Sequence, residues 1–409
     1  MAKVAPDDVA AAADTVRLVE PRDGIPPVID RPTDLRAAVD RYARSSGPVA
    51  FDAERASGYR YSQRAYLIQL RRPDAGTLLI DPTAVPDLTV VRDAFADDEW
   101  VLHAANQDLP CMAELSLLPP RLFDTELAGR LLGYPRVALG TLVETLLGYS
   151  LEKGHAAADW STRPLPRDWL AYAALDVELL IELRNHLEAE LAEAGKLDWA
   201  REEFDAIRTA PTRPRRAEEW RRTSGIHKMT ELRGLAIVRA LWSAREELAK
   251  QRDLAPGRVL ADAAIVAVAQ AKPTTLDELR KVPGVSSKRT SASTPRWLDA
   301  VTSALELPDA DLPRRRARST EPPATKRWGS KQPEAAARLA AVRAVVTELA
   351  EQHNLPQENL APPTAVRQLA WAPPARPTSD AVAALLRAEG VREWQISLLA
   401  TNLAGALSS

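Results

Sequence analysis

Short apolar segments alternate with longer helical patterns between residues 26 and 200. The strand candidates cover residues 48–53, 66–70, 77–80, 100–103 and 122–124. The first three lie too close together for helical crossovers, which predicts an antiparallel meander, whereas helix-length segments separate the later ones, which predicts parallel strands. Beyond residue 165 the pattern is helical to the end of the chain. We therefore predict an α/β domain with a mixed sheet, followed by all-α domains.

Two segments rich in proline and arginine divide the chain, at residues 209–216 and 307–333. Residues 1–25 are rich in Ala and Asp without a clear period, which predicts a flexible leader. A weak internal repeat relates residues 243–254 to 344–355, and each copy ends in a Gly-Val pair. These features predict an α/β domain over residues 26–208, small helical domains over 217–306 and 334–409, and a basic linker over 307–333.

Composition narrows the classes of protein to consider. A chain of 409 residues exceeds the size of one hydrophobic core, and its formal charge of −2 is not that of a strongly basic DNA-coating protein. The single cysteine, Cys111, and five scattered histidines offer neither an internal disulfide nor a zinc cluster. No segment has the pattern of a membrane span or a secretory signal, so we expect a cytoplasmic protein that does not bind membranes.

Candidate chemistry begins with two carboxylates at the end of a strand candidate. Asp52 and Glu54 are spaced i, i+2, which places both side chains on one face of a strand. Such a pair can hold a hard divalent cation, because Mg²⁺ and Mn²⁺ prefer oxygen ligands. Taken alone, the doublet is better explained by a solvated strand end.

Two further motifs follow along the chain. Asp108 comes after the strand candidate at 100–103 and leads into a helix, so its side chain either joins a site at the sheet edge or caps that helix. Tyr172 and Asp176 are spaced i, i+4, which places phenol and carboxylate on the same face of a helix. The alternative for this pair is an ordinary amphipathic helix with a partly buried tyrosine.

Together, FDAE at 51–54, HAANQDL at 103–109 and YAALDVELL at 172–180 resemble the three ordered motifs of the DEDD exonucleases, in the subgroup that carries a tyrosine. Residues 27–205 resemble the ribonuclease D family, and the two helical repeats resemble HRDC domains, the second being degenerate. The resemblance implies a ribonuclease H-like mixed sheet flanked by helices, followed by two small all-α HRDC-like domains.

The resemblance also implies a reaction, a 3′-to-5′ exoribonuclease activity that uses two divalent metal ions, Mg²⁺ or Mn²⁺. Asp52 would bridge both ions, Glu54 and Asp176 would complete one ion site, and Asp108 would help to hold the second. Tyr172 would orient the attacking water. The implied substrate is RNA with a single-stranded 3′ end, such as a tRNA precursor, and the implied state is a monomer. The alternatives are a DNA 3′-5′ exonuclease in repair and a catalytically inactive adaptor that binds RNA or a helicase.

Candidate nucleic-acid contacts lie outside these motifs. Lys153, Trp160 and Arg163 precede the tyrosine motif and can contact a phosphate or a terminal base, although packing at a helix end explains them equally well. Two basic clusters offer phosphate contacts or are solvated linker, namely Arg213, Arg215, Arg216, Arg221 and Arg222 at the first junction, and Arg314, Arg315, Arg316, Arg318, Lys326, Arg327 and Lys331 in the second linker.

Three further polar residues are given a structural role. His103 stands at a strand end, where a histidine satisfied by hydrogen bonds is the favoured interpretation. Gln69 and Asp124 match positions of the family, and strand hydrogen bonding explains both.

Overall fold

The computed structural model describes residues 15–152, 154–211, 218–285, 291–315 and 322–408. Its strands are β1 (Val16–Leu18), β2 (Val28–Ile29), β3 (Val49–Arg55), β4 (Ala65–Arg72), β5 (Gly76–Ile80), β6 (Glu99–Leu102), β7 (Arg121–Asp124) and β8 (Tyr149–Leu151). The helices of the α/β domain are α1 (Pro32–Tyr42), α2 (Thr89–Ala94), α3 (Leu109–Glu114), α4 (Thr125–Leu132), α5 (Leu139–Leu147), α6 (Arg167–Glu178), α7 (Leu180–Glu193) and α8 (Leu197–Arg208).

Helices alone follow α8 among the described residues. They are α9 (Leu232–Arg252), α10 (Pro256–Val259), α11 (Asp262–Ala271), α12 (Leu276–Lys281), α13 (Thr294–Leu305), α14 (Trp328–Lys331), α15 (Pro333–Gln352), α16 (Gln357–Leu360), α17 (Pro363–Trp371), α18 (Ser379–Ala388) and α19 (Glu393–Ser408). Within the described part of the chain, no helix combines the length and apolar character needed to cross a membrane.

Six strands form the main sheet, in the order β2-β5-β4-β3-β6-β7. Strands β3, β4 and β5 are antiparallel neighbours, and β6 and β7 run parallel to β3, so the predicted mixed sheet is confirmed. Every residue of β4 is buried. The ring of Phe51 on β3 stacks on Trp100 of β6, with 3.9 Å between ring centroids. This apolar packing fixes β3 at the centre of the sheet, where it carries Asp52 and Glu54.

The leader predicted for residues 1–25 is wrong for the part that the structure describes. Strand β1 pairs in parallel with β8, which lies more than one hundred residues away in the sequence. The Arg22 guanidinium then donates to Glu178 at 2.7 Å and to Glu182 at 2.8 Å. A three-residue strand is too short to show a periodic pattern of apolar residues, and an ion pair between distant residues leaves no local pattern. Neither feature could therefore be predicted from the sequence. Residues 1–14 lie outside the described residues.

The internal repeat predicted from sequence corresponds to two helical domains with the same order of elements. In each, a long helix (α9 or α15) is followed by a single-turn helix and then by three further helices. Asp253 and Asn354, at matching positions of the repeat, both adopt left-handed backbone conformations, as do Gly284 and Gly390. The two copies of the repeat therefore share these backbone conformations as well as a similar sequence.

The predicted linker over 307–333 is shorter in the structure. Leu307 and Leu312 pack against the core of the first helical domain, and Arg233 of that domain donates to Asp309. On the other side, Trp328 is buried and belongs to the core of the second helical domain. Apolar side chains at both ends of the segment therefore attach it to the domains, and residues 316–321 lie outside the described residues.

The second helical domain packs directly against the α/β domain, and one continuous apolar core runs through both. Lys196 is 7% exposed, and its ammonium donates to the backbone oxygens of Leu131, His353 and Asn354, which lie at the ends of α4 and α15. The indole of Trp199 stacks on that of Trp394, with 4.8 Å between ring centroids. These contacts hold the two domains together.

The first helical domain contacts the loop that follows β3. Asp253 accepts a hydrogen bond from the Ser62 N–H at 2.9 Å, and the Ala255 N–H donates to the Tyr59 oxygen at 3.0 Å. Arg258 donates to the Gly58 oxygen at 2.7 Å. The loop that leaves the carboxylate-bearing strand is therefore braced by a separate domain.

Candidate active site

The carboxylates of Asp52, Glu54 and Asp176 converge on one point. Asp52 and Glu54 are carried by β3, and α6, which packs on β3, β4 and β5, brings Asp176 to the same place. Each of the three residues offers one oxygen, and these oxygens all lie within 4.8 Å of one another. An all-oxygen donor set at this spacing suits a hard divalent cation such as Mg²⁺. The predicted convergence of strand and helix is therefore observed.

Asp108 lies beside this cluster without being one of its three members. The residue stands at the amino end of α3, yet its side chain makes no capping hydrogen bond, so the capping alternative is excluded. It is 7% exposed. Burial and the nearby charge of Asp52 raise its pKa to about 8. The carboxylate thus faces the other acidic groups and not its own helix.

The acidic groups of the site are unfavourable as bare charges. Burial raises the pKa of Asp52 to about 6. Burial and then the charge of Asp52 raise the pKa of Glu54 and that of Asp176 well above their ordinary values. Buried carboxylates that repel one another are stabilised by a bound cation, because it offsets both the lost hydration and the repulsion. The electrostatics agree with a divalent metal site.

Tyr172 lies one helical turn before Asp176 on α6 and shares its face. Its hydroxyl is close enough to the Asp176 carboxylate for the charge of that group to act on it. Burial, followed by the charges of Asp176 and Glu54, raises its pKa, so the phenol stays protonated. A half-buried hydroxyl beside the carboxylates can donate or accept a hydrogen bond there.

Asp124 supports the segment that carries Asp108. Its carboxylate is 2% exposed and accepts hydrogen bonds from the backbone N–H groups of Ala104 and Ala105, as well as from Glu126 and Leu127 at the start of α4. Ala104 adopts a left-handed conformation with φ of 57°. The explanation of Asp124 by strand hydrogen bonding is therefore incomplete, because its side chain caps a helix and fixes a strained turn.

Gln69 is also not explained by side-chain hydrogen bonding. It lies directly opposite Asp52 in the β3–β4 ladder and is fully buried. Neither polar atom of its side chain has a hydrogen-bond partner among the described residues.

His103 has the structural role that was expected of it. Its Nδ1 atom lies 2.9 Å from the Thr125 hydroxyl, within hydrogen-bond distance. Burial lowers its pKa to about 4, so the ring is neutral near pH 7.

Trp160 packs inside the protein, whereas Arg163 is exposed and its guanidinium is held by hydrogen bonds. Trp160 is fully buried, so no base can stack on it. The Arg163 guanidinium donates to both oxygens of Asp81 at 2.6 and 2.9 Å, and to the Tyr66 oxygen at 2.7 Å. The prediction of a nucleic-acid contact is therefore corrected for Trp160, because packing covers its ring. The Arg163 guanidinium is exposed and is held by these hydrogen bonds, so its contact with RNA stays a prediction. Lys153 lies outside the described residues.

The two predicted basic clusters meet in the structure. Arg221 donates to the Arg314 oxygen at 3.0 Å, and Arg315 donates to the Thr230 oxygen at 2.6 Å. Arg221 and Arg315 line one cavity of about 580 Å³ together with His227. Arg213, Arg215, Arg216, Arg316 and Arg318 lie outside the described residues.

Arg55 is a residue of the site that the sequence patterns did not single out. A β-bulge between Glu54 and Arg55 shifts the pairing with β4. The Arg55 guanidinium lies 4.0 Å from the Asp108 carboxylate. No sequence signal marks a bulge here, and strict alternation would place Arg55 on the face opposite to Asp52 and Glu54.

Comparisons with known proteins agree with this site and give each domain a family. Residues 26–192 match the model of the 3′-5′ exonuclease family, and residues 234–301 match the HRDC domain. Residues 321–407 match a separate family, the 3′ to 5′ exonuclease C-terminal domain. The second repeat was predicted to be HRDC-like, and it matches this other family instead.

Two curated relatives and two solved structures are similar over most of the chain. Ribonuclease D of Acidiphilium cryptum is 31% identical over 73% of this chain and 78% of its own length, and ribonuclease D of Gluconacetobacter diazotrophicus is 32% identical over 71% and 74%. A crystal structure of a protein from Bifidobacterium adolescentis is 39% identical, with a TM-score of 0.89 over 97% of this chain and 100% of that one. Escherichia coli RNase D is 25% identical, with a TM-score of 0.68 over 93% and 98%.

The sheet, the acidic cluster and the matched domain together define a 3′-5′ exonuclease that works with divalent metal ions. The similarity to curated relatives is long enough to be more specific. The chain belongs to the ribonuclease D family, and it is a 3′-5′ exoribonuclease.

Proposed function

We propose that this protein shortens RNA from the 3′ end by two-metal-ion hydrolysis and releases nucleoside 5′-monophosphates. The observation that carries the proposal is the convergence of Asp52, Glu54 and Asp176 within 4.8 Å, with Asp108 beside them. When bound there, two divalent ions activate water and stabilise the leaving 3′-oxygen. Mg²⁺ and Mn²⁺ both suit carboxylate oxygens, and we propose either as the working ion.

Each residue of the site has a proposed task. Asp52 would be shared by the two ions, because its charge acts on Glu54, Asp108 and Asp176 alike. Glu54 and Asp176, which converge with Asp52, would complete the site of the ion that activates water. The Tyr172 hydroxyl, which lies near Asp176, would orient the attacking water in line with the phosphate.

The proposed substrate is a structured RNA with a single-stranded 3′ tail, such as a tRNA precursor. Escherichia coli RNase D is described as an exoribonuclease involved in structured RNA processing, and this chain shares its fold over 93% of its length. The cavity between Arg221 and Arg315 offers guanidinium groups to the phosphate backbone upstream of the 3′ end. If it does so, substituting both arginines with Gln will weaken RNA binding and flatten its salt dependence.

Two further properties are proposed on narrower grounds. We propose that the protein works as a monomer, since the chain brings all four carboxylates and Tyr172 to one site by itself. We propose a cytoplasmic location because the buried Cys111 is a free thiol, which fits a reducing compartment. Light scattering and cell fractionation test these statements separately.

The test of the proposed activity uses Asp52→Asn and Tyr172→Phe. The wild-type protein is incubated in Mg²⁺ with a 3′-extended tRNA, the same RNA blocked by a 3′-phosphate, and a matched DNA. We expect 5′-monophosphates from the unblocked RNA, no activity with Asp52→Asn, and slower turnover with unchanged RNA affinity for Tyr172→Phe. The control Asp34→Asn removes an exposed carboxylate from α1 and should leave activity unchanged.

The outcomes distinguish the rival functions. Undiminished activity of Asp52→Asn would remove the metal assignment. Faster degradation of DNA than of RNA would favour a repair exonuclease, because the ribose 2′-hydroxyl is what separates the two substrates. Failure of the wild-type protein to shorten any 3′ end in Mg²⁺ or Mn²⁺ would favour the adaptor.

A further inference from the structure

We propose that Arg55 is a substrate-binding residue of this active site, whose guanidinium contacts the phosphate that joins the last two nucleotides. The inference rests on the proposed function, since it assumes that an RNA 3′ end enters the acidic site. Arg55 would add a positively charged side chain to a site that otherwise consists of carboxylates and Tyr172.

Arg55 is the last residue of β3 and lies at an irregularity in the pairing of β3 with β4. Along β3, Glu54 is paired with Leu67 of β4, whereas Arg55 is paired with Ala65, so one residue of β4 is skipped at the bulge. The extra residue, Tyr66, belongs to β4, so the regular pairing of the two strands ends where Arg55 leaves β3. At this strand end the long Arg55 side chain reaches to 4.0 Å from the Asp108 carboxylate.

The ion pair between Arg55 and Asp108 is too long to be the main role of the Arg55 guanidinium. The two groups are 4.0 Å apart, beyond the usual range for an N–H···O hydrogen bond. Elsewhere, structural arginines approach their carboxylates closely, as Arg163 does with Asp81 at 2.6 Å and Arg184 with Glu99 at 2.7 Å. The Arg55 side chain is 27% exposed, so it is also accessible from solvent.

The charges of the site explain why a positively charged side chain would favour substrate binding there. The charge of Arg55 partly opposes the rise in the pKa values of Asp52, Glu54 and Asp108, so it acts on three of the four carboxylates. Two divalent ions cancel four carboxylates, so a phosphodiester adds negative charge that the ions do not offset. A guanidinium presents two parallel N–H donors that match two phosphate oxygens, and charged hydrogen bonds of this kind are strong.

The experiment compares Arg55→Gln and Arg55→Lys with the control Arg36→Gln, which removes an exposed arginine from α1. Binding of a short single-stranded RNA is measured by fluorescence anisotropy in Ca²⁺ at several salt concentrations. A second oligonucleotide carries an uncharged methylphosphonate at the 3′-terminal linkage only. Calorimetry measures the Mg²⁺ affinity of each variant, circular dichroism checks its fold, and hydrolysis by the wild-type protein is measured on the same RNA.

We expect Arg55→Gln to weaken binding of the ordinary RNA about tenfold or more, as the loss of one charged hydrogen-bonded contact implies. The slope of log affinity against log salt should fall by about 0.7, the value for one phosphate contact on a single strand. The methylphosphonate RNA should bind wild type and Arg55→Gln equally. Arg55→Lys should recover part of the affinity, and Arg36→Gln should behave as wild type.

Two results would overturn the proposal. Equal binding of the ordinary RNA by wild type and Arg55→Gln would mean that no phosphate contact exists. Weaker Mg²⁺ affinity in Arg55→Gln, with equal losses for both oligonucleotides, would mean that Arg55 only positions Asp108. Hydrolysis by the wild-type protein is scored separately, so a failure of the exonuclease assignment is distinguishable from a failure of the Arg55 contact.

Discussion

Replacing Asp124 with Ala will disturb both stability and catalysis, although Asp124 is not a proposed metal ligand. Its buried carboxylate accepts four backbone N–H groups, two in the turn at Ala104 and Ala105 and two at the start of α4. A buried N–H left without an acceptor costs about 1–3 kcal/mol. Some of this loss is offset, because burial raises the pKa of Asp124 to about 6 and so makes its charged form costly.

The net loss for Asp124→Ala is therefore on the order of 3 kcal/mol. For a domain of this size that corresponds to a melting temperature lower by roughly 6–12 °C. Activity should fall as well, because Ala104 would no longer be held in its left-handed conformation and the segment leading to Asp108 would relax. We expect turnover to fall about tenfold or more at temperatures where the variant is still folded.

Differential scanning fluorimetry and a 3′-exonuclease assay measure the two effects. The matched control is Asp87→Ala, which removes an exposed aspartate that accepts hydrogen bonds from Thr89 near the start of α2. That control should lose at most about 1 kcal/mol and keep its turnover. If Asp124→Ala melts within two degrees of wild type, or is folded and fully active, the reasoning about the buried carboxylate is refuted.

Two further predictions concern metal binding and domain docking. The pKa values of Asp52 and Asp108 are raised to about 6 and about 8 in the folded protein. Without metal, the folded state therefore binds more protons than the unfolded state, and its stability falls as the pH rises from about 4 to about 8. Mg²⁺ binds the ionised groups, so its increase of the melting temperature should be larger near pH 8 than near pH 6, and an equal increase would contradict the assignment. Lys196→Met should destabilise the docked C-terminal helices by about 3 kcal/mol, since three backbone oxygens lose a charged donor. Limited proteolysis should release those helices from Lys196→Met but not from the exposed control Lys250→Met, and equal resistance of the two variants would refute the role of Lys196.

Sequence periodicity was sufficient for the elements that bury a regular apolar face. The strands around Phe51, Ile68 and Trp100 are buried, and their spacing alone separated the antiparallel meander from the parallel strands. Motif order was sufficient for the carboxylates, because i, i+2 and i, i+4 spacings determine which side chains share a face. The same local rules could not decide whether Asp108 capped a helix or joined the site.

Interactions between distant segments were decided by tertiary structure alone. Strand β1 forms only because β8 lies beside it. Trp160 is buried because an apolar cluster surrounds it, and the Arg163 guanidinium is held by Asp81, which lies far away along the chain. The bulge before Arg55 depends on how β3 and β4 register, which no local pattern encodes. Local sequence thus determined the elements and the identity of the carboxylates. Packing determined which polar groups remain free for substrate, because hydrogen bonds and burial depend on neighbours that are remote along the chain.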